Sequence, residues 1–332
     1  MLPIQDIFPL LATPKKITIT THHKPDGDAI GSMLGLYHYL KLKGHHVTVI
    51  SPSDIPDFLQ WLPGVQQVYN YEAESKFCEE NIQLADFIFC VDINDANRTK
   101  YLGALIENAS QPKVMIDHHL MPKDYWTYGV SNSDKSSTCE MVYDFINLAG
   151  DNALINATIA TCIYTGVLTD TGSFRFPATT ASTHKLVADL LEKGLQHTTI
   201  HEEISDSWSV KRMQFLGYVL LERMQLFPHL HTGIITISKA DMKLFGIGTG
   251  DTEGLVNYPL SVTGIRFAVL FIERTDEVKL SFRSKGDFDV SSLARKYFNG
   301  GGHFNASGGT SQKNLEETVT YFKEILSDIH PR

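Results

Sequence analysis

The sequence Asp117-His118-His119 places a carboxylate and two imidazoles directly behind the apolar run 114–116. Burying an unpaired charge at the end of a strand is costly, so these residues are poor core material. Carboxylates and imidazoles are instead frequent ligands of divalent metals and frequent acid or base groups. The trio therefore predicts a metal site or an acid–base site.

Three further apolar runs lead into residues that can also ligate a metal ion. They are residues 17–21 before His22, Asp26 and Asp28, residues 87–91 before Asp92, and residues 163–169 before Asp170. In an open parallel sheet, ligands bind outside the carboxyl ends of the strands, where such residues converge. The four acidic segments together predict one crevice that holds more than one metal ion.

Each of these segments has an ordinary structural explanation when it is taken alone. Asp26-Gly27-Asp28 is also typical of a solvated turn, and Asp92 can cap a helix. A single histidine is usually a satisfied polar residue, and we interpret His184 and the other scattered histidines in that way. The joint occurrence of four segments, each with an apolar run followed by metal-ligand chemistry, favours the metal site.

The elements that must position these residues alternate between strands and helices in the first half of the chain. Apolar runs predict strands at 17–21, 47–50, 84–91 and 113–116, and helical spacing predicts helices at 29–43, 137–149, 156–168 and 184–192. Such alternation is typical of βαβ units, whose helices pack on a parallel sheet. The predicted fold class is α/β, with an N-terminal parallel-sheet domain.

The second half of the chain is richer in strands and predicts a smaller α+β domain. A connecting helix is predicted at 211–224, strands at 233–237, 265–273 and 278–283, and helices at 290–298 and 315–329. We predict a metal-binding catalytic domain at 1–195, a helical connector at 196–230 and a substrate-binding domain at 231–332. The active site is expected in the cleft between the two domains.

Charge narrows the class of partner. The 332 residues include 38 acidic and 29 basic residues, which gives a formal net charge of −9. A protein that grips long duplex nucleic acid usually shows a basic face. Long duplex nucleic acid is therefore disfavoured, whereas a small anionic substrate is compatible with acids that metal ions neutralise.

Cysteine usage and hydropathy predict where the protein acts. Cys78, Cys90, Cys139 and Cys162 are scattered without CxxC spacing, which favours a reduced cytoplasmic protein. The N-terminus lacks the order of regions found in a signal peptide, and no apolar run approaches about 18 residues. We therefore expect a cytoplasmic location and no membrane association.

Candidate phosphate contacts lie mainly in the second half of the chain. The run Gly300–Gly302 before His303 is either a flexible turn or an anion-binding nest of backbone N–H groups. Arg283, next to Ser284 at the end of a predicted strand, can form two hydrogen bonds to one phosphate. Arg98 and Arg175 are further candidates, and each also fits a surface ion pair.

The order His-x-x-x-Asp-x-Asp, Asp, Asp-His-His and Asp-Thr-Gly-Ser-Phe resembles the DHH phosphoesterase superfamily. Residues 300–309 resemble its DHH-associated C-terminal motif, so the resemblance covers almost the whole chain. Size and two-domain layout are most similar to the subfamily of oligoribonucleases and phosphoadenosine-phosphate phosphatases. The resemblance implies the DHH fold and a metal-dependent phosphoesterase whose members are often homodimers.

The resemblance also implies a role for each candidate residue. Two Mn²⁺ ions are expected, with Mg²⁺ or Co²⁺ as substitutes, and they would activate a water for attack on phosphorus. The resemblance implies that His22, Asp26 and Asp92 bind one ion and that Asp28, Asp92, His118 and Asp170 bind the second. Asp117 would support the site by hydrogen bonding, and His119 would face the phosphate. The residues implied in substrate binding are Arg283, Ser284, Gly301, Gly302 and His303.

Several functions share this resemblance. The leading expectation is hydrolysis of short oligoribonucleotides and of 3′-phosphoadenosine 5′-phosphate. An exopolyphosphatase is the main alternative, because a chain of phosphates also suits a basic pocket. A pyrophosphatase is less favoured, since the chain has no Arg-Lys-Lys run, and a RecJ exonuclease would be larger. A non-catalytic nucleotide-binding module would require a lost ligand, and the expected ligands are all present.

Overall fold

The computed structural model describes residues 1–248 and 250–329. The chain divides into two compact units, of which unit 1 comprises Met1–Ser207 and unit 2 begins at Trp208. This boundary lies inside the predicted connector 196–230.

Unit 1 is built on a seven-stranded sheet with the order β1-β7-β6-β5-β2-β3-β4. Its strands are β1 Leu2–Pro3, β2 Lys16–Thr20, β3 His46–Ser51, β4 Val68–Asn70, β5 Phe87–Val91, β6 Lys113–Asp117 and β7 Tyr128–Ser131. All of the pairings between neighbours are parallel. The predicted parallel sheet is confirmed, and its carboxyl edge gathers the ends of β2, β5 and β6, which are adjacent strands.

Unit 1 also contains seven α-helices. They are α1 Gly27–Leu42, α2 Tyr71–Gln83, α3 Gly103–Asn108, α4 Thr138–Leu148, α5 Ala157–Asp170, α6 Ala181–Glu192 and α7 His197–Ser205. Helices α1 to α3 lie between strands of the sheet, and α4 to α7 follow the last strand. The four predicted helices are confirmed with shifted ends. Helix α1 begins at Gly27 because the Asp26 side chain accepts the N–H groups of Asp28 and Ala29. Helix α6 begins before His184 because Thr180 and Thr183 form a capping box.

Small residues allow α1 and α5 to pack closely against each other. A Cβ atom at Gly31 of α1 would lie 2.5 Å from the carbonyl oxygen of Cys162 in α5, and one at Gly166 of α5 would lie 2.9 Å from Asp28 Oδ1 in α1. Glycine at both positions is therefore required by the packing. This packing brings Asp28, at the start of α1, beside the last turn of α5, which ends at Asp170.

Unit 2 contains a six-stranded mixed sheet with the order β12-β13-β11-β10-β9-β8. Its strands are β8 Met224–Phe227, β9 Thr232–Ile237, β10 Phe267–Glu273, β11 Val278–Ser284, β12 Gly301–His303 and β13 Ala306–Ser311, and its helices are α8 Val210–Tyr218, α9 Lys239–Phe245, α10 Val290–Tyr297 and α11 Leu315–Ile329. Within the described part of unit 2, β9 and β10 pair in parallel and the other neighbours pair antiparallel. The predicted α+β character is confirmed. Among the described residues, none of the helices combines the length and apolar character needed to cross a bilayer.

Two segments of unit 2 differ from the sequence-based expectation. The helix predicted at 211–224 ends as a π-helical turn at Val219–Arg223, because Met224–Phe227 pairs with β9 instead. Gly300–Gly302, interpreted as a flexible turn or an anion-binding nest, extends into β12, and the glycine-rich residues up to 309 contribute to β13. Main-chain hydrogen bonds form these strands although few apolar side chains mark them.

Candidate metal centre

The carboxylate of Asp92 is the centre of the site in unit 1. It is only 2 % exposed and follows β5, between the ends of β2 and β6. His22 Nε2 lies 3.2 Å from Asp92 Oδ2, while His118 Nε2 and His119 Nδ1 lie 3.6 and 3.3 Å from Asp92 Oδ1. Asp92 also has a left-handed φ of 60°. Such a backbone conformation costs free energy and is often retained at functional sites.

Among the described residues, three sets of donor atoms include this carboxylate. One joins it to Asp117 and His119, and the other two consist entirely of predicted metal ligands. His22, Asp26 and Asp92 form one of these two sets, and Asp28, Asp92 and His118 form the other, each with its donor atoms within 4.8 Å of one another. Asp170 Oδ2 lies 3.6 Å from His118 Nε2, beside the second set. The structure therefore brings together all six residues predicted as metal ligands. Their binding of metal remains a prediction.

Backbone carbonyls orient both of the predicted metal-ligating histidines. The Nδ1 atom of His22 lies 3.1 Å from the carbonyl oxygen of His23, and that of His118 lies 3.3 Å from the carbonyl oxygen of Lys135. A carbonyl oxygen can only accept, so Nδ1 carries the proton in each case. The Nε2 atoms then face the carboxylates, which is the arrangement that metal-binding imidazoles usually show.

The charges of the site favour a bound cation. Burial raises the pKa of Asp28, and the nearby carboxylates of Asp92 and Asp170 raise it further, well above the usual value. Burial alone would lower the pKa of His22, but Asp26 and Asp92 outweigh it and raise that pKa to about 10. The donors are carboxylate oxygens and imidazole nitrogens, a combination that suits a divalent ion such as Mn²⁺ better than a soft metal. The residues present thus fit a metal centre.

Asp117 holds His119 in a fixed orientation. The Asp117 carboxylate, fully buried at the end of β6, accepts the His119 backbone N–H at 2.9 Å. Its other oxygen lies 2.9 Å from His119 Nδ1. These contacts agree with the support role predicted for Asp117.

The two arginines of unit 1 lie at the edges of this site. Arg98 Nη1 donates a 2.9 Å hydrogen bond to the backbone carbonyl of Asp92, so this guanidinium supports the strained residue. Arg175 is exposed, and its Nε donates to the carbonyl of Gly172 at 2.7 Å, just after Asp170. Contacts of either arginine with a substrate remain predictions.

In unit 2, register places Arg283 and His303 on one face of the sheet. Arg283 of β11 pairs with Ala306 of β13, and Ala306 pairs with His303 of β12. Residues directly opposite one another in antiparallel strands point to the same face. The methyl group of Ala306 therefore separates two side chains that can bind an anion.

The other predicted contacts of unit 2 have roles in local structure. Gly302 has a φ of 141°, and a Cβ atom there would lie 2.7 Å from the carbonyl oxygen of Ala306, so β12 requires glycine. The Ser284 hydroxyl donates to the carbonyl of Phe288 and accepts from Asn305. These contacts account for Gly302 and Ser284 without a substrate. Substrate contacts of Gly301, Gly302 and Ser284 remain predictions.

Sequence analysis missed Thr138, which contacts two predicted ligands. Its hydroxyl donates to Asp92 Oδ1 at 2.9 Å, and its backbone N–H donates to Asp28 Oδ2 at 2.7 Å. The run Ser136-Ser137-Thr138 at the start of the predicted helix 137–149 indicates an N-cap. Nothing in that pattern indicates which carboxylates the N-cap would meet.

Family comparisons agree with this geometry. Residues 16–167 match the DHH family, N-terminal domain, and residues 239–328 match the DHHA1 domain.

Two curated relatives match over most of their length. The bifunctional oligoribonuclease and PAP phosphatase NrnA of Thermus thermophilus is 32% identical over 306 residues, which cover 91% of this chain and 86% of the relative. The protein of the same name from Bacillus subtilis is 28% identical over 299 residues, which cover 89% of this chain and 88% of the relative.

Solved structures show the same architecture. The crystal structure of an exopolyphosphatase-related protein from Bacteroides fragilis has a TM-score of 0.93 and 37% sequence identity, covering 98% of this chain and 95% of that one. RecJ from Thermus thermophilus, in complex with Mn²⁺, has a TM-score of 0.50 and 14% identity, covering 98% of this chain and 54% of that one. The second likeness concerns the fold alone.

Proposed function

Because this chain belongs to the DHH family of phosphoesterases, we propose that it hydrolyses short oligoribonucleotides and 3′-phosphoadenosine 5′-phosphate. The observation that carries the proposal is the buried carboxylate of Asp92, which is shared by two sets of donor atoms that consist entirely of predicted metal ligands. The substrate class follows from the two relatives, which are named oligoribonuclease and PAP phosphatase.

We assign two Mn²⁺ ions to this centre, with Mg²⁺ or Co²⁺ as substitutes. His22 and Asp26 would hold one ion, His118, Asp28 and Asp170 the other, and Asp92 both. When bound, such a pair supplies charge neutralisation at the phosphoryl group and an activated water nucleophile.

We assign Asp117 to orient His119, and His119 to donate a hydrogen bond to the substrate. Asp117 keeps the His119 imidazole in one orientation through two contacts, one from the backbone N–H and one at Nδ1. We assign His119 to donate a hydrogen bond to a phosphoryl or leaving-group oxygen. Such a donor stabilises the charge that develops on oxygen in the transition state.

In unit 2 we assign Arg283 and His303 to bind an anionic group of the substrate. The two side chains lie on the same face of the sheet, with Ala306 between them, and this arrangement supports the role. A guanidinium can form two parallel hydrogen bonds to a phosphate.

An exopolyphosphatase is the second candidate function. The exopolyphosphatase-related protein from Bacteroides fragilis favours it, because its fold and 37% identity extend over nearly all of both chains. A polyphosphate chain would also meet the metal centre through a scissile phosphate.

A substrate panel separates these candidates. The protein would be incubated with pApA, 3′-phosphoadenosine 5′-phosphate, pyrophosphate and polyphosphate, with Mn²⁺ and with a chelator. We expect Mn²⁺-dependent release of AMP from the first two substrates. Cleavage of polyphosphate alone would favour the second candidate, and no Mn²⁺-dependent cleavage of any substrate would contradict an enzymatic function.

We further propose a cytoplasmic location, because all four cysteines are buried and free of disulfides. Free thiols of this kind are typical of reducing compartments. Homodimer formation, which the family resemblance implies, remains a prediction that analytical ultracentrifugation checks.

A further inference from the structure

One short segment before and within the first turn of α4 contacts three of the predicted metal ligands. Thr138 donates its hydroxyl hydrogen to Asp92 Oδ1, and the backbone N–H groups of Thr138 and Cys139 donate to the two oxygens of Asp28 at 2.7 and 2.8 Å. The carbonyl oxygen of Lys135 accepts the Nδ1 hydrogen of His118. The three ligands come from different elements of the chain, and this segment connects them.

A buried carboxylate anchors the same segment. Glu140 is 1 % exposed, and its Oε2 accepts the Ser136 N–H at 3.1 Å and the Ser136 hydroxyl at 2.6 Å. Its Oε1 accepts Lys135 Nζ at 3.0 Å and the Ser182 hydroxyl at 2.6 Å. Thr183 of α6 adds a further donor at 3.2 Å.

The hydrogen bonds of Glu140 distinguish it from Asp28, whose pKa is raised. Burial raises the pKa of Glu140, but hydrogen bonds from Ser136, Ser182 and Lys135 outweigh burial and lower it. Its hydrogen-bond partners are residues of the 135–140 segment and of α6. An ionised carboxylate with this many donors holds backbone in place, because each bond to a charged acceptor is strong.

We propose that residues 135–140 form a positioning element for the metal centre, in which Glu140 fixes the segment and Thr138 orients Asp92. The inference rests on the proposed function, since it assumes that Asp92 binds metal. The Thr138 hydroxyl donates to one oxygen of Asp92, which limits rotation of the carboxylate. The Lys135 carbonyl keeps the His118 proton on Nδ1, so that Nε2 faces the carboxylates. Partners of this kind raise the affinity of a site for its metal.

The test measures Mn²⁺ affinity by calorimetry on the full chain. Thr138→Val removes the hydroxyl but keeps the backbone N–H that binds Asp28, and Thr138→Ser restores a hydroxyl. The matched control is Thr18→Val, because Thr18 is equally buried and its hydroxyl donates to the Asn81 carbonyl, away from the predicted ligands. We expect Thr138→Val to weaken Mn²⁺ binding roughly 10- to 100-fold. Thr138→Ser and Thr18→Val should bind like the unaltered protein.

A second variant tests the anchor. Glu140→Gln keeps the shape of the side chain but removes its charge, so the segment loses its strongest acceptor. We expect weaker Mn²⁺ binding than in Asp241→Asn, a control that alters a buried carboxylate of unit 2. If the two variants lose similar thermal stability but only Glu140→Gln loses metal affinity, the effect belongs to positioning.

Three results would overturn the inference. Thr138→Val could bind Mn²⁺ as tightly as the unaltered chain, Thr18→Val could weaken binding to the same extent, or Thr138→Ser could fail to restore it. Each of these leaves the proposed metal centre intact. Failure of the unaltered chain to bind Mn²⁺ would instead contradict the proposed function, and the positioning role with it.

Discussion

Two buried carboxylates, Asp241 in unit 2 and Asp28 in unit 1, have opposite surroundings. Asp241 accepts hydrogen bonds from Tyr218 at 2.6 Å, from Arg223 at 2.8 and 3.1 Å, and from Ser238 at 2.8 and 2.9 Å. Burial raises the pKa of Asp241, but these bonds outweigh burial and hold the pKa well below its ordinary value. The charge of Asp241 is therefore stabilised within the protein.

Asp28 accepts two backbone N–H groups but faces other acids. Its pKa is raised by burial and by the charges of Asp92 and Asp170, although His118 opposes this. The protein alone thus stabilises the ionised form of Asp28 less well than water does.

The difference separates Asp241, a structural carboxylate, from Asp28, a predicted metal ligand. Asp92 differs from both, because burial raises its pKa but the neighbouring His119, His22 and His118 outweigh burial and lower it. A carboxylate with an arginine and several donors contributes to folding, whereas carboxylates that crowd one another require an additional cation. Strongly perturbed groups of this second kind are concentrated at functional sites. We therefore expect mutation of the crowded carboxylates to affect metal binding and catalysis, and mutation of Asp241 to affect stability.

Asp92→Asn should have the largest effect, because it removes the carboxylate shared by both donor sets. Asparagine tolerates the left-handed φ of this position, so the fold should be retained. Loss of metal-derived stabilisation worth several kcal/mol lowers kcat on the order of 10³-fold. Steady-state hydrolysis of pApA measures the loss, and circular dichroism checks the fold. If the variant retained activity within tenfold of the unaltered enzyme, the assignment of Asp92 as the shared metal ligand would be contradicted.

Arg283→Ala should chiefly raise KM. Losing hydrogen bonds from a charged donor costs about 1.5–3 kcal/mol, which corresponds to roughly 10- to 100-fold in affinity. Lys279→Ala is the matched control, because Lys279 is a cation on the same strand and the same face. Kinetics on pApA would refute the assignment if both variants changed KM equally, or if only kcat fell.

Asp28→Asn should remove most of the stabilisation that Mn²⁺ provides. A ligand at a hundred times its Kd stabilises the native state by about 2.7 kcal/mol, enough to raise Tm by several degrees. The metal-free proteins should unfold at similar temperatures, since relief of repulsion offsets the lost acceptor. Differential scanning calorimetry with and without Mn²⁺ measures both quantities. An undiminished Mn²⁺-dependent shift in the variant would exclude Asp28 as a ligand.

Asp241→Asn should reduce stability and leave chemistry unchanged. Loss of the charged acceptor for Arg223 and Tyr218 costs about 1–3 kcal/mol. Urea unfolding measures this cost, and the kcat for pApA serves as the control. If Asp241→Asn lowered kcat but left stability unchanged, the structural role of Asp241 would be contradicted.

The stabilisation by Asp241 should also depend on pH. Its pKa is lowered in the folded protein, so the stabilisation is fully present above the unfolded value of about 3.9. It is lost as pH falls through the folded value. The difference in unfolding free energy between the unaltered protein and Asp241→Asn should be constant near pH 7 and shrink below about pH 4. If this difference in unfolding free energy instead increased as the pH fell, the prediction would be contradicted.

The clustering of the predicted metal ligands could be predicted from sequence because these residues follow the ends of strands. Apolar runs identify β2, β5 and β6, and parallel strands place their following residues at one edge, so His22, Asp92 and His118 could be grouped without coordinates.

The support of these residues could not be predicted in the same way. Thr138 meets Asp28 across 110 positions of the chain, and no local pattern encodes such a contact. Arg98, predicted to contact substrate, donates to the carbonyl of Asp92, whose left-handed φ no local sequence pattern indicates. Strands β12 and β13 escaped prediction because glycine-rich pairing depends on main-chain hydrogen bonds rather than on apolar alternation.

Mn²⁺ stoichiometry tests the central claim most directly. Calorimetric titration of Mn²⁺ into the chelator-treated chain should show two ions per chain, and Asp92→Asn should lose at least one of them. Absence of Mn²⁺ binding by the unaltered chain, or binding of two ions by Asp92→Asn with unchanged affinity, would contradict a two-ion centre built on Asp92.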